Sequence, residues 1–180
     1  MSKKVLIIST SLRPNANSEI LAHETERGAR DAGHEVEFVT LKDKEIKFCK
    51  GCLACQKLGK CVIKDDANEI TLKMKDADVI VWATPIYYYE MSGQMKTLID
   101  RANSLFATGK NFTEAYLITT SADGSKGVIQ TVLNGVNGWV VCFGNLELKG
   151  YLEAGGLDNP NDVQSRKDLL EAAYNMGKNI

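Results

Sequence analysis

Short apolar runs alternate along the chain with longer segments in which apolar residues recur every three or four positions. The run at residues 5–8 has no polar interruption and predicts a strand buried on both faces, as in a parallel sheet. Similar runs predict four more strands, at residues 36–40, 79–83, 115–120 and 146–152. Thr84 and Pro85 are expected to end the third strand, because proline has no N–H to donate within a sheet.

Helical periodicity occupies most of the intervals between these strands. It predicts helices at residues 18–32, 91–102, 129–143 and 169–180. A further helix is expected to be capped by Asp65 and Asp66 and to run through Asp76. Residues 41–64 show neither period clearly, and they contain four of the five cysteines.

Alternating strands and helices predict an α/β fold in which helices cover both faces of a parallel sheet. For five strands we expect the flavodoxin-like order 2-1-3-4-5, which gives a three-layer sandwich in one domain over residues 1–180. Ligands of such sheets bind at the carboxyl ends of the strands, near the point where the strand order reverses. Candidate site residues are therefore expected in the loops after the first, third and fourth strands.

The composition narrows the classes of partner. The 180 residues include 22 Lys and Arg against 23 Asp and Glu, a formal charge of −1, which argues against nucleic-acid binding. No apolar run approaches the roughly 20 residues that a membrane-spanning helix needs. The apolar stretch near the N-terminus is too short for a signal peptide, so a cytoplasmic location is expected.

The loop after the first strand, residues 9–18, carries four hydroxyls, two amides and an arginine. It leads into a helix whose first N–H groups are free, and this combination suits a single phosphate monoester. The alternative is an ordinary helix start in which Asn17 or Ser18 is the cap. Neither G-x-x-x-x-G-K nor G-x-G-x-x-G is present, which argues against a nucleoside triphosphatase and a dinucleotide site.

The loop after the third strand contains three consecutive tyrosines, at residues 87–89. Flat aromatic side chains with polar tips suit a planar heterocycle, and backbone groups near Pro85 can hydrogen-bond to its edge. The alternative is that some of these tyrosines only pack beneath the loop.

Four cysteines lie within thirteen residues, with the spacing C-x2-C-x2-C-x5-C. They are Cys49, Cys52, Cys55 and Cys61. Three interpretations stay open: the compact spacing of an iron–sulfur cluster, a zinc site, or free redox-active thiols. Four lysines in the same loop favour thiolates or an anionic cluster. Cys142, in the apolar stretch near Trp139, is expected to be a small core residue.

The loop after the first strand resembles the flavin-phosphate loop Gly-Ser-x-Arg-x-x-x-Asn-Ser of the flavodoxin-like NAD(P)H-dependent FMN reductases. The matching residues are Ser11, Arg13, Asn17 and Ser18. Thr10 replaces the usual Gly of this motif, and Leu12 replaces a frequent Pro. The resemblance implies that the four matching residues bind the phosphate of FMN.

Residues 83–87, 92–96 and 100–101 are similar to the second flavin loop of this family and to the helix that follows it. In the family a third flavin contact follows the fourth strand. The resemblance therefore implies that two loops hold the flavin ring. Their residues are Pro85, Ile86, Tyr87, Tyr88, Thr120, Ser121 and Ala122.

The resemblance implies an FMN-binding oxidoreductase that takes hydride from NAD(P)H. The electrons would pass to a quinone, a flavin or a similar small-molecule or protein acceptor, and the protein would be a homodimer. The cysteine loop is also similar to the compact motif of the iron–sulfur flavoproteins in the same group. That implies an alternative function as an electron-transfer module with a [4Fe–4S] cluster on the loop from Cys49 to Cys61. A third alternative is a flavin-binding sensor that signals through its thiols.

Overall fold

The computed structural model describes residues 1–180 and is built around a parallel sheet of five strands. The strands are β1 (Lys4–Ser9), β2 (Glu35–Thr40), β3 (Val79–Tyr87), β5 (Glu114–Thr120) and β6 (Glu147–Ala154). Their spatial order is β2-β1-β3-β5-β6, and a short strand, β4 (Glu90–Met91), pairs antiparallel with β3. With β4 left aside, this is the predicted order 2-1-3-4-5, so the predicted flavodoxin-like sheet is confirmed.

Seven α-helices connect and cover the strands. They are α1 (Asn17–Asp31), α2 (Ala54–Leu58), α3 (Ala67–Asp76), α4 (Gly93–Arg101), α5 (Ser104–Thr108), α6 (Gln130–Val141) and α7 (Lys167–Lys178). The short α2 lies inside the cysteine loop, and the predicted helix at 91–102 is continued by α5. None of these helices combines the length and the apolar character that crossing a membrane requires.

Residues of β1 alternate between two apolar clusters on opposite faces of the sheet. Leu6 and Ile8 belong to the cluster that contains Trp82 and the inward residues of α3, α4 and α6. Val5 and Ile7 belong to the cluster covered by α1 and α7. Because both faces are buried, the central strands have no polar face, which is why β1 is a continuous apolar run in the sequence.

The third strand does not end at Thr84 and Pro85, and in this respect the prediction was wrong. Pro85 lies opposite Thr120 of β5, and β3 then continues into a hairpin with β4. Proline removes only its own N–H, so the rest of the strand can still pair. Tyr88 and Tyr89 form the two-residue turn, and both have the positive φ (52° and 62°) that the common hairpin turns of this length use. Met91 consequently lies in β4 and not in the helix.

Cys142 is exposed, so its prediction as a core residue was wrong. It follows the last residue of α6, and its thiol contacts the carbonyl oxygen of Gly138 at 3.3 Å. Trp139 and Val140 are the last buried residues of the α6 apolar stripe. Val141 and Cys142 lie beyond that stripe, facing away from the sheet.

Helices α1 and α7 approach each other so closely that two glycines are required at their contact. A Cβ on Gly28 would lie 2.0 Å from the carbonyl oxygen of Tyr174. A Cβ on Gly177 would lie 2.0 Å from the carbonyl oxygen of Thr25. Thr25 Oγ1 also donates across the contact to the carbonyl oxygen of Ala173 (3.0 Å). The two helices therefore touch backbone to backbone.

Candidate functional site

A pocket of about 210 Å³ opens at the carboxyl ends of β1, β3 and β5, the edge where this fold places ligands. Ten of the eleven residues predicted to contact flavin line it. They are Ser11, Arg13, Asn17, Ser18, Pro85, Ile86, Tyr87, Thr120, Ser121 and Ala122. The remaining one, Tyr88, is not among the lining residues and is fully exposed in the turn between β3 and β4.

Buried hydroxyls line the end of this pocket next to α1. Ser18 Oγ is buried and has no hydrogen-bond partner in the chain. Ser11 Oγ accepts the N–H of Arg13 at 3.3 Å, which leaves its own proton free to donate. The first turn of α1 adds free N–H groups and the positive end of the helix dipole. An unpartnered buried hydroxyl is costly unless a ligand satisfies it, so this end of the pocket fits a phosphate.

Asn17 and Arg13 also hold a distant segment of the chain against the pocket. Asn17 Nδ2 donates to the carbonyl oxygen of Asn159 (2.8 Å), and its Oδ1 accepts the N–H of Val163 (3.1 Å). Arg13 Nη1 donates to the carbonyl oxygen of Asp158 (2.8 Å). Ala16 occupies the N-cap position of α1, and no side chain hydrogen-bonds to the helix start. The alternative in which Asn17 or Ser18 caps the helix is therefore wrong.

The segment after β6 completes the pocket, and sequence reasoning missed it. Leu157, Asp158 and Pro160 line the pocket beside the phosphate end. A signal was available, because β6 is the fifth parallel strand and its carboxyl end lies at the same edge as the other four. The turn residues Gly155 and Gly156 follow that strand directly.

A chain of buried hydroxyls joins the phosphate loop to β3 and to the start of α4. Thr10 Oγ1 donates to the carbonyl oxygen of Ala83 and lies 3.0 Å from Ser92 Oγ. The backbone N–H of Ser92 donates to Thr84 Oγ1 (3.1 Å), while Ser92 Oγ caps α4 by accepting the N–H of Met95. Thr10, which replaces the usual Gly, therefore uses its side chain to hold α4 in place.

One hydrogen bond joins the turn after β3 to the loop after β5. Tyr89 Oη, in the hairpin turn after β3, donates to Asp123 Oδ2 in the loop after β5 (3.0 Å). This bond raises the pKa of the Tyr89 phenol. Hydrogen bonds from Ser125, and then the one from Tyr89, lower the pKa of Asp123. The bond ties together the two loops predicted to hold the flavin ring.

All four clustered cysteines line a second, smaller pocket at the C-terminal end of α4. Cys55 on α2 is buried, Cys61 is half-buried, and Cys49 and Cys52 are exposed. The N–H of Gly51 donates to Cys49 Sγ (3.4 Å), and Asn103 Nδ2 donates to Cys55 Sγ (3.5 Å). As placed, the sulfur atoms do not form a group of three or more close enough to hold a metal ion.

Arg101, the last residue of α4, is buried against the cysteine pocket. Its guanidinium pairs with the fully buried Asp65 carboxylate. Asp65 also accepts the N–H of Ala67, so it contributes to the start of α3 as predicted, but the ion pair is its main contact. Burial opposes the charge of Arg101, yet Asp65 and the Cys61 thiol outweigh burial and raise the pKa of the guanidinium. Burial likewise opposes the charge of Asp65, but Arg101 and the N–H of Lys47 lower the pKa of its carboxyl.

Hydrogen-bond donors near the cysteine sulfur atoms bear on whether the pocket fits an iron–sulfur group. Cys49 and Cys55 each receive an N–H, and Arg101 Nε is buried with no partner. Thiolate-bound clusters are anionic, and they accept hydrogen bonds on sulfur. The residues present therefore fit such a group, although their sulfur atoms would have to draw together to bind it.

Comparison with known proteins gives relatives that match along the whole chain. A family model described as NADPH-dependent FMN reductase matches residues 3–142. An iron–sulfur flavoprotein of Methanocaldococcus jannaschii is 35% identical, over 98% of this chain and 95% of that protein. An iron–sulfur flavoprotein of Methanosarcina thermophila is 31% identical, over 94% of this chain and 91% of that protein. The resemblance drawn from the sequence motifs is confirmed.

Solved structures share the fold at low sequence identity. An NAD(P)H:quinone oxidoreductase from Methanothermobacter marburgensis superposes with a TM-score of 0.77 at 16% identity, covering 99% of this chain and 96% of that one. An azoreductase from Bacillus anthracis superposes with a TM-score of 0.74, also at 16% identity, covering both chains completely. At such identities the likeness supports the flavodoxin-like fold alone.

Proposed function

This chain belongs to the NADPH-dependent FMN reductase family, and from that premise we propose that it is an FMN-binding oxidoreductase that takes hydride from NAD(P)H. The electrons then pass to a quinone, a flavin or a similar acceptor. The observation that carries the proposal is the pocket at the carboxyl ends of β1, β3 and β5, with the unpartnered hydroxyl of Ser18 at its phosphate end. A bound flavin supplies the hydride chemistry, and the chain binds and orients it.

The phosphate end is built for one terminal phosphate group. Ser11 and Ser18 offer hydroxyl donors, and the first turn of α1 offers N–H groups. Arg13 adds positive charge at the rim, where its Nη1 is already held by the carbonyl oxygen of Asp158. The segment from Leu157 to Pro160 closes this end, which leaves little room for the second phosphate and nucleoside of FAD.

The ring end supplies flat and polar contacts. Pro85, Ile86 and Tyr87 line one side of the pocket, and the loop of residues 120–122 lines the other. The bond between Tyr89 and Asp123 holds these two loops at a fixed separation. A flavin ring held in this pocket would be oriented by groups of these two loops, and no side chain would be needed as a nucleophile.

Calorimetric titration tests this proposal directly. We expect one FMN per chain and FAD binding at least tenfold weaker. Replacing both Ser11 and Ser18 by Ala should weaken FMN binding at least tenfold, because each hydrogen bond to a charged group contributes about 1.5–3 kcal/mol. Ser2→Ala is the matched control, since Ser2 bonds to Gly33 and lies before β1, away from the pocket.

Two outcomes of this titration would contradict the assignment. FAD binding as tight as FMN binding would mean that the pocket is not closed beyond the phosphate. An unchanged FMN dissociation constant in the double variant, with an intact circular dichroism spectrum, would place the phosphate elsewhere. Loss of binding in Ser2→Ala as well would indicate a general loss of structure.

The cysteine pocket favours a second candidate function, an electron-transfer module with a [4Fe–4S] cluster near the flavin. Support comes from four cysteines that line one pocket together with N–H donors to sulfur. The names of the full-length relatives agree with it. Anaerobic purification followed by an absorption spectrum and an iron and sulfide assay distinguishes the two candidates. If the protein contains a cluster and oxidises NAD(P)H only negligibly, the result supports the electron-transfer module. If it oxidises NAD(P)H and contains no iron, the result supports the reductase alone.

We also propose that the chain is a cytoplasmic homodimer. Phe106 exposes 61% of its surface and lines a cleft between the cysteine loop and α6, together with the apolar side chains of Ile99 and Phe143. Exposed apolar side chains at one cleft are typical of a surface that another chain covers. A molar mass of one chain by light scattering, over a range of concentrations, would contradict the dimer.

A further inference from the structure

The guanidinium of Arg101 joins the two ends of the segment that contains all four clustered cysteines. Nη1 donates to the carbonyl oxygen of Lys47 (2.7 Å), just before Cys49, and Nη2 donates to that of Ile63 (3.2 Å), just after Cys61. Asp65, its ion-pair partner, also accepts the N–H of Lys47 (2.9 Å). The cysteine loop is thus closed at its base by one buried ion pair.

One N–H group of Arg101 has no hydrogen-bond partner in this arrangement. A guanidinium has five N–H groups. Four of them go to the carbonyl oxygens of Lys47 and Ile63 and to the two carboxylate oxygens of Asp65. The fifth, on Nε, is buried and has no partner. A buried charged group with an unsatisfied donor is costly, so an acceptor is expected beside it.

Sulfur atoms are prominent among the acceptors that line this pocket, since four of its residues are cysteines. Arg101 lines the pocket together with the four cysteines. Two other sulfur atoms already have donors, Cys49 from Gly51 and Cys55 from Asn103. Cys61 is the half-buried cysteine nearest in sequence to Ile63, which Arg101 holds.

We propose that Arg101 is a positioning residue that closes the base of the cysteine loop and gives its Nε–H to sulfur of an anionic iron–sulfur centre, raising its reduction potential. The inference rests on the second candidate function. Reduction adds one negative charge to the centre, and a nearby cation with an N–H donor stabilises the more negative state. Asp65 acts in the opposite direction, because its negative charge pairs with the same guanidinium and offsets its positive charge.

The opposite signs of the two partners give the test. Wild type, Arg101→Gln and Asp65→Asn are purified anaerobically, reconstituted with iron and sulfide, and titrated potentiometrically by absorption and electron paramagnetic resonance. At a fixed potential, Arg101→Gln should lower the ratio of reduced to oxidised centre at least tenfold, which is about 59 mV for one electron. Asp65→Asn should raise that ratio. Arg30→Lys, which alters an exposed arginine paired with Glu26, is the control and should leave it unchanged.

Each outcome decides between a positioning and a purely structural role. FMN binding, measured in the same samples, shows whether each variant is folded. A lower reduction potential in Arg101→Gln together with a higher one in Asp65→Asn supports the proposal. Shifts of the same sign, no shift, or failure of both variants to load iron while they still bind FMN overturn it, because these results need only a structural ion pair. Wild type without iron after reconstitution overturns the iron–sulfur function and this inference together, whereas iron-loaded wild type with unshifted variants overturns this inference alone.

Discussion

Replacing Gly28 by Ala is expected to lower the free energy of unfolding by about 3 kcal/mol, at the upper end of the cost of overpacking. The added Cβ would lie 2.0 Å from the carbonyl oxygen of Tyr174 and 2.9 Å from the backbone nitrogen of Lys178. These are backbone atoms of α7, so no side chain can rotate away to make room. The two helices would have to move apart, which opens the apolar cluster beneath them.

Chemical denaturation measures this effect, with Gly138→Ala as the matched control. Gly138 lies in α6, and a Cβ there would meet no atom within 4 Å. Its replacement should leave stability unchanged or raise it by about 0.5–1 kcal/mol, because alanine favours helices over glycine. If Gly28→Ala unfolded at the same denaturant concentration as wild type, the close contact of α1 with α7 would be wrong.

If the cysteine loop holds the proposed iron–sulfur centre, replacing Cys55 by Ser is expected to remove that centre while FMN still binds. Cys55 is the buried cysteine of the loop, and Asn103 fixes its sulfur. A serine hydroxyl is a poor substitute for a thiolate ligand of iron. The proposed flavin pocket is lined by other loops, so the affinity for FMN should be retained. Iron and sulfide per chain, with FMN titrated in the same preparation, measure both expectations.

Cys142→Ser is the matched control for this prediction, since Cys142 directly follows α6, outside the cysteine pocket, and its replacement should leave the iron content at the wild-type level. Equal iron in Cys55→Ser and wild type would show that Cys55 is not a ligand. Stoichiometric zinc in wild type, purified in metal-free buffers, would instead make the loop a zinc site.

The sheet could be predicted because its strands are buried on both faces. Residues 5–8 and 79–83 are uninterrupted apolar runs, and the structure places both at the centre of the sheet. The hairpin after β3 could not be predicted in the same way. Tyr88 and Tyr89 are not turn residues by preference, and they adopt positive φ because β3 and β4 pair on either side of them.

Most of the lining of the proposed flavin pocket was predictable because the matching motifs are local. Its remaining wall, at residues 157–160, reaches the pocket through long-range contacts with Arg13 and Asn17, which no local period reveals. The role of Arg101 was hidden for the same reason. Its partners, at residues 47, 63 and 65, are brought to it only when the cysteine loop folds back against α4.

Helix α4 has Ser92 of the hydroxyl chain at one end and Arg101 at the other. From the first residue of α4 to the last, a rise of 1.5 Å per residue gives a length of about 12 Å. So short a helix is a stiff rod, and it sets both the spacing of the two pockets and their relative rotation. One inserted residue would turn Arg101 by about 100° around the helix axis. Natural or engineered length changes should therefore be poorly tolerated within α4.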